Sequence, residues 1–130
     1  FGLGGIFTEL LKDVTHRFAP FDAEGAREMI DEVKGAALLH GYRGRPALDV
    51  AALADVLARV SLIAHDHADR IAEIDVNPLF VMERGVVAAD ALIVLKPLKS
   101  EDTEDTEDTE DTEENKTETE NGFSFVVIAT

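Results

Sequence analysis

The stretch from Ile71 to Pro78 combines side chains that could hold a cation with the alternation of a buried strand. It reads Ile-Ala-Glu-Ile-Asp-Val-Asn-Pro. Alternate side chains of a strand face opposite sides, so Glu73, Asp75 and Asn77 share one face while the apolar residues face the core. Neighbouring carboxylates repel unless a cation or donor lies between them, and such oxygen ligands suit magnesium. The same alternation also fits an edge strand whose polar face lies in water.

A predicted β-hairpin follows this strand. An apolar run ends at Met82, glycine marks a turn at Gly85, and a second apolar strand covers residues 86–95. If the loop runs from Met82 to Gly85, Val81 pairs with Val86. The turn residues do not force this register, so it is a prediction.

The predicted register would bring a third acidic side chain to the polar face. Asp90 interrupts the apolar second strand and would lie opposite Asn77, on the same face as Asp75. Burying these acids together without a cation would raise their pKa values and cost stability. The pattern therefore favours a metal site over a solvated face.

The start of the chain carries weaker signals. Phe1 to Gly5 is rich in glycine, which permits close approach to a ligand but also simply forms turns. Residues 6–11 and 14–18 are predicted to be strands. Glu9 and Arg17 lie within them, and form either a cross-strand ion pair on an open face or part of a phosphate or metal site.

Two amphipathic helices are predicted from apolar residues at helical spacing. Asp22 would cap a helix over residues 23–34 that Gly35 closes. Asp49 would cap a longer helix that continues to about His65.

Two further groups of side chains have a functional and a structural interpretation. In the loop over residues 40–46, Arg43 and Arg45 could clamp an anion, or be solvated arginines beside an acidic surface. His65 and His67 could bind a metal, but cationic histidines also favour a helix C-terminus. We prefer the structural interpretation for the histidines, because no third ligand is near them in sequence.

Composition excludes several classes of protein. The chain has 130 residues and a net charge of −15, of which −11 comes from twelve acids and one lysine in residues 100–121. The other residues carry fifteen acids and eleven bases, so no basic face for nucleic acid is expected. The absence of cysteine excludes thiolate catalysis, disulfides and thiolate zinc sites. No apolar run suggests a membrane span or signal peptide, and a cytoplasmic location is expected.

The sequence divides into three parts. Residues 1–98 should form one domain, and because they begin within a glycine-rich run we expect a fragment of a longer one. Residues 99–121 contain four Glu-Asp-Thr repeats and are predicted to be disordered. Residues 122–130 are apolar and could be a docking strand or a segment without a role.

Four segments in this order resemble one known family. They are Phe-Gly-Leu-Gly-Gly-Ile-Phe-Thr-Glu-Leu-Leu-Lys-Asp at 1–13, Arg-Phe-Ala-Pro at 17–20, Gly-Tyr-Arg-Gly at 41–44 and Glu-Ile-Asp-Val-Asn-Pro-Leu at 73–79. Together they resemble the C-terminal part of the ATP-grasp domain in ADP-forming acyl-CoA synthetases, relatives of the succinyl-CoA synthetase β subunit. The resemblance covers about residues 1–96.

The resemblance implies an α/β (α+β) lobe, with a mostly antiparallel sheet and two packed helices. It implies an enzyme that interconverts acyl-CoA, ADP and phosphate with the free acid, CoA and ATP through a phosphohistidine. The expected cofactors are Mg²⁺ and ATP or ADP. The expected partners are the remaining ATP-grasp lobe and the CoA-binding and ligase domains or subunit, which would bring CoA and the acyl substrate.

The resemblance also implies roles for particular residues. Asp75, Asn77 and Asp90 match positions that hold magnesium against the nucleotide phosphates, where charge neutralisation assists phosphoryl transfer. Glu9 and Arg17 lie in matching motifs as candidate nucleotide-binding residues. No catalytic residue is assigned, because none of the histidines lies in a matching motif: His16, His40, His65 and His67.

These expectations describe part of an enzyme. The chain would carry part of a metal–nucleotide site and no complete activity alone. The alternative is a non-catalytic remnant, in which the lobe is a scaffold and the acidic segment binds a basic partner.

Overall fold

Two helices and a mixed sheet make up the part of the chain that the computed structural model describes, residues 1–5, 10–97 and 124–129. In chain order the elements are strand β1 (Gly2–Leu3), helix α1 (Ala23–Glu32), a 3₁₀ helix (Lys34–Leu38), helix α2 (Val50–Asp66), and strands β2 (Ile71–Val81), β3 (Val86–Ala88), β4 (Ala91–Leu95) and β5 (Ser124–Ala129). No helix among these residues is both long and apolar enough to cross a membrane.

Both helices form as their apolar spacing predicts. Helix α1 buries Ala26, Met29 and Ile30, and the Asp22 carboxylate accepts a hydrogen bond from the Gly25 amide at 2.9 Å. That bond satisfies one of the amides that a helix leaves free at its N-terminus.

Helix α2 also has the predicted cap and apolar face. Its first residue follows Asp49, whose carboxylate accepts from the Ala52 amide at 3.0 Å. Leu53, Leu57 and Ala64 lie on its buried face, in one cluster with the apolar face of α1. The helix pair covers one side of the sheet.

The predicted end of α1 at Gly35 is wrong. The α-helix ends at Glu32, and a 3₁₀ helix begins at Lys34. The buried carboxylate of Asp13 accepts from the amides of Lys34 at 2.8 Å and Gly35 at 2.9 Å, so a new helical turn begins where a stop was predicted. The signal is a carboxylate 21 residues upstream, which local helix-end rules do not consider.

Strand β2 is the centre of the sheet. On one edge it pairs antiparallel with β3 and β4, and on the other it pairs parallel with β5, which in turn pairs parallel with β1. The strand continues through Pro78, with a shift in its pairing to β5 between Val76 and Leu79. Its buried residues complete the core beneath the helices: Ile71, Ile74, Val76, Leu79 and Val81.

Strand β5 comes from the apolar segment after the acidic repeats. Its last residue, Ala129, is fully buried, and its carbonyl accepts a hydrogen bond from the Gly4 amide. Of the two possibilities for residues 122–130, the structure has a strand over residues 124–129. The prediction of disorder for residues 99–121 lies outside the described residues.

The prediction of two strands near the start of the chain is wrong for those of its residues that the structure describes. Residues 6–9 lie outside the described residues, Leu10 and Leu11 form a turn, and Val14 makes only a single bridge, to Gly2. The Thr15 side chain donates to Glu32 of α1 at 2.6 Å. This segment therefore attaches to α1 by side chains and to Phe1 by backbone hydrogen bonds, and it forms no strand of its own.

Candidate metal–nucleotide site

Strand β2 presents its polar residues on the face away from the helices. Ile74 and Val76 are 4% and 6% exposed, whereas Asp75 between them is half-buried and Glu73 and Asn77 are exposed. The observed alternation is the predicted one.

The hairpin has the predicted register. Val81 pairs with Val86, and the Asn77 amide donates to the Asp90 carbonyl at 3.2 Å, so Asn77 and Asp90 lie opposite each other. The predicted second strand is interrupted at Asp90, where β3 has ended and β4 has not begun. Backbone pairing therefore brings Asp90 beside β2.

Among the three candidate ligands, Asp75 has a carboxylate oxygen that is buried without a partner among the described residues. Its Oδ1 atom is buried and accepts no hydrogen bond from any described residue. A buried polar atom without a partner costs free energy comparable to a lost hydrogen bond, and more when it carries charge. A cation in contact with this oxygen would remove that cost.

The other two candidate ligands are exposed. The Asp90 carboxylate accepts a hydrogen bond from the Ala91 amide at 2.9 Å through Oδ1. Within the described ranges, no three side chains of His, Cys, Asp or Glu are close enough together to hold a metal ion. The structure thus aligns two carboxylates and one amide along adjacent strands, and their oxygen atoms fit the preference of magnesium for few protein ligands.

The face around these residues is also apolar. Leu92 pairs with Asp75 and is 56% exposed, and Phe80 pairs with Val87 with both side chains at least partly open to solvent. Low-polarity neighbours strengthen electrostatic interactions once water is excluded. This face would therefore favour a charged ligand only when something covers it.

The two candidate nucleotide-binding residues at the start of the chain, Glu9 and Arg17, are not placed beside the candidate metal ligands by any described contact. Glu9 lies outside the described residues. The Arg17 guanidinium forms a two-pronged ion pair with Glu32, whose carboxylate also accepts from the Thr15 hydroxyl. The hydrogen bonds from Arg17 and then Thr15 lower the pKa of Glu32 to about 2. Arg17 thus fastens this segment to α1, and its contribution to nucleotide binding stays a prediction.

Asp49 has a second role that sequence analysis missed. Besides capping α2, its carboxylate accepts from the Gly85 amide at 2.8 Å, and its own amide donates to the Met82 carbonyl at 2.7 Å. The hydrogen bonds from the Gly85 and Ala52 amides lower the pKa of Asp49. Asp49 therefore holds the hairpin turn against the start of α2, and the hairpin in turn carries Asp90.

Three of the four histidines lie at positions that fit a structural role. His65 lies in the last turn of α2 and His67 caps it, and both are exposed. His40 forms a pair with Asp31 at 2.7 Å. None of these three lies in a group of possible metal ligands within the described residues.

Comparison with known proteins defines the class. The sequence profile of the ATP-grasp domain matches residues 1–95, so the chain belongs to the ATP-grasp family. Its relatives within that family include ADP-forming acetate–CoA ligases, to which it is homologous.

Particular relatives make this family assignment specific. The β subunit of acetate–CoA ligase (ADP-forming) II from Pyrococcus furiosus is 48% identical over 98 residues, which are 74% of this chain and 42% of that subunit. Acetate–CoA ligase (ADP-forming) II from Archaeoglobus fulgidus is 48% identical over 102 residues, 78% of this chain and 15% of that protein. The chain therefore spans less than half of these relatives.

A solved structure agrees with the fold. The dinucleotide-forming acetyl-coenzyme A synthetase 1 of Ca. Korarchaeum cryptofilum, in complex with coenzyme A and Mg-AMPPCP, superimposes with a TM-score of 0.68 at 42% identity. The match covers 73% of this chain and 44% of that one. The expected α/β lobe of an ATP-grasp domain is confirmed, with two helices and an antiparallel sheet of β2, β3 and β4, to which β5 adds a parallel pairing.

Proposed function

We propose that this chain supplies the magnesium- and nucleotide-binding lobe of an ADP-forming acyl-CoA ligase, an acid–thiol ligase that interconverts acyl-CoA, ADP and phosphate with acid, CoA and ATP. Membership of the ATP-grasp family and the homology to acetate–CoA ligases support the reaction class. The observation that carries the proposal is the buried, unpartnered carboxylate oxygen of Asp75 on the polar face of β2.

Asp75, Asn77 and Asp90 would together hold Mg²⁺. When bound, the ion neutralises charge on the nucleotide phosphates. Asp75 contributes a carboxylate with one oxygen already buried, on a strand segment that the flanking core residues Ile74 and Val76 hold in place. Asn77 and Asp90 are placed by the hairpin register, and Asp49 holds the hairpin turn through Gly85.

The complete activity requires further domains. The relatives that match this chain are longer, and the Ca. Korarchaeum cryptofilum synthetase is a complex with coenzyme A. The exposed apolar side chains beside Asp75, such as Leu92 and Phe80, support contact with the rest of an ATP-grasp domain. CoA and the acyl substrate would bind to those other parts, and the assembly would work in the cytoplasm.

The test is calorimetric titration of the full chain with ADP, with and without magnesium. The chain is measured alone and after addition of the remaining ATP-grasp segment of a relative. We expect magnesium-dependent binding in at least the second setting. Asp75→Ala and Asp90→Ala should each weaken it on the order of tenfold or more, because each removes a metal ligand.

The matched control is Asp69→Ala, which removes an exposed carboxylate from the turn before β2. This variant should bind as the unsubstituted chain does. Absence of binding in both settings, or equal weakening by the control, would overturn the metal assignment. A non-catalytic scaffold would then be the better description.

A further inference from the structure

The loop between the 3₁₀ helix and α2 contains a tight turn with an arginine on either side of its glycine. The Arg45 amide donates to the Tyr42 carbonyl at 3.1 Å, and the two central residues have positive φ angles, 50° at Arg43 and 81° at Gly44. This combination defines a type I′ turn. The turn places the side chains of Arg43 and Arg45 two residues apart on an exposed tip.

Arg43 occupies a backbone position that other residue types adopt at a lower cost in conformational free energy. Both central positions of a type I′ turn require left-handed backbone, and Asn, Asp and Gly dominate them because longer side chains are strained there. Strain of this kind persists only where surrounding structure holds it, and it is concentrated at sites of function. The one local contact found for the Arg43 guanidinium among the described residues is with the ring of Tyr42.

The surrounding backbone keeps the turn in place. At the base of the loop, the Leu48 amide donates to the Leu39 carbonyl at 2.8 Å, and Leu39 is buried. Within it, a Cβ atom on Gly41 would lie 3.0 Å from the Arg45 carbonyl oxygen. Gly41 itself has a φ of 93°. The loop that carries the turn is therefore closed at its base by a backbone hydrogen bond and tightly packed at Gly41.

The two guanidinium groups are free to bind an anion. Neither Arg43 nor Arg45 has an ion pair with any described residue, whereas Arg17 and Arg59 are each paired with a carboxylate. Residues 40–48 contain no acid, although the chain as a whole has a net charge of −15. The two acids that precede this stretch most closely in sequence, Glu32 and Asp31, are paired with Arg17 and His40.

Tyr42 orients one of these groups. The Arg43 guanidinium lies over the Tyr42 ring, 5.3 Å from its centroid. Stacking occupies the face of a guanidinium and leaves its in-plane N–H donors available, in a fork that matches phosphate oxygens. A second guanidinium two residues away adds charge of the same sign.

We propose that Arg43 and Arg45 form a binding site for a phosphate group, separate from the face of Asp75, Asn77 and Asp90. The ligand is a phosphate group whose oxygens accept hydrogen bonds from the guanidinium groups. It could belong to free phosphate or to a nucleotide. The site uses no metal and no residue of the proposed magnesium site, so the two proposals succeed or fail independently.

The test is titration of the isotopically labelled full chain with inorganic phosphate and, separately, with ADP. Binding is monitored by nuclear magnetic resonance at low ionic strength, with a chelator present to remove metal ions. We expect both to shift the backbone amide resonances of residues 41–45. Arg43→Gln and Arg45→Gln should each weaken the response about tenfold or more, because each removes charged donors. A stronger response to ADP identifies a nucleotide as the source, and equal responses identify phosphate alone.

The matched control is Arg27→Gln, which removes the same charge from the exposed face of α1. It should change the affinity by less than about a factor of two, since a distant surface charge is screened. Equal weakening by this control would show only diffuse attraction and overturn the proposal. So would the absence of shifts at residues 41–45 with both ligands.

Arg43→Asn separates binding from folding. Asparagine tolerates the positive φ, so this variant should raise the thermal unfolding midpoint by about 4 °C while it weakens the phosphate response. A lowered midpoint would show that arginine is needed there for folding, and would remove the argument from strain.

Discussion

At the scale of single residues, Glu32 determines how the irregular segment before α1 is attached to that helix. Its carboxylate accepts hydrogen bonds from Arg17 and Thr15, and these lower its pKa to about 2. A carboxyl group with a lowered pKa favours the folded state whenever it is ionised. The attachment is therefore sensitive to acid.

Glu32→Gln should reveal that dependence. Because the pKa of Glu32 is lower in the folded chain, its stabilisation is fully present above the ordinary carboxyl pKa of 4.5 and is lost as the pH falls towards about 2. The difference in unfolding free energy between the unsubstituted chain and the variant should be largest near neutral pH and shrink across that interval. Urea unfolding at a series of pH values measures it.

Glu24→Gln is the control, since it removes an exposed carboxylate from the first turn of the same helix. At neutral pH it should change the free energy of unfolding less than Glu32→Gln does, because Glu24 forms no ion pair among the described residues. A difference for Glu32→Gln that stayed constant down to pH 2 would contradict the assigned role.

Substitution by alanine should have opposite effects on stability at two glycines. A Cβ on Gly35 would lie 2.5 Å from Leu3 Cδ1 in the core, whereas one on Gly25 meets nothing closer than 3.5 Å. Gly35→Ala should therefore destabilise the chain by about 1–3 kcal/mol through overpacking. Gly25→Ala, within α1, should stabilise it by about 0.5–1 kcal/mol. Urea unfolding of both variants checks the prediction, and a neutral Gly35→Ala would show that Leu3 simply moves aside.

At the scale of elements, Asp49 couples a helix to a hairpin. Its carboxylate accepts from the Ala52 amide within α2 and from the Gly85 amide in the turn between β2 and β3. Asp22, by contrast, accepts only the Gly25 amide among the side-chain bonds found in the described residues. The two caps are thus a natural pair for comparison.

Asp49→Ala should lower the denaturant midpoint more than Asp22→Ala does, by roughly a factor of two, because it leaves two amides without their acceptor. It should also speed hydrogen exchange at Gly85. Equal effects of the two substitutions on the midpoint, together with unchanged exchange at Gly85, would show that the second bond contributes nothing.

The elements differ in how far sequence predicts them. The two helices and the register of the hairpin follow from local information: apolar spacing, capping aspartates and a glycine turn. The segment over residues 14–18 has the composition of a strand, but its backbone bonds go to Phe1 and its side chains to Glu32, which only tertiary structure supplies.

The candidate site is predictable to a similar extent. The shared face of Glu73, Asp75 and Asn77 follows from alternation, and the position of Asp90 follows from the turn. The burial of the Asp75 oxygen and the bond from Gly85 to Asp49 depend on packing between elements that lie far apart in sequence.

At the scale of the whole molecule, β5 joins the two ends of the described chain. It lies between β1 and β2, and no direct pairing of β1 with β2 occurs in the described residues. It also lies beyond the residues that match the ATP-grasp profile. The position of the first strand in the sheet therefore depends on a strand outside the matched residues.

Removal of residues 124–130 should lower the thermal midpoint and speed hydrogen exchange at Gly4, whose amide donates to the Ala129 carbonyl. The reason is that β1 loses its only strand neighbour among the described residues and one edge of β2 is left unpaired. Replacement of residues 100–121 by a short neutral linker is the control and should leave both readouts largely unchanged. Unaltered exchange at Gly4 after the truncation would contradict this account of β5.

The exposed apolar side chains of β4 have a consequence for how copies of the chain associate in solution. Strand β4 pairs only with β2 among the described residues and leaves apolar side chains open on both of its faces, with Leu92 and Leu95 at 56% and 63% exposure. An open apolar edge of this kind recruits further strands from other copies. Mutual repulsion between chains of net charge −15 opposes such contacts, but its range falls to about 3 Å in 1 M salt. Added salt should therefore drive the isolated chain from a monodisperse solution towards clusters, which light scattering would record as a rise in mean particle size.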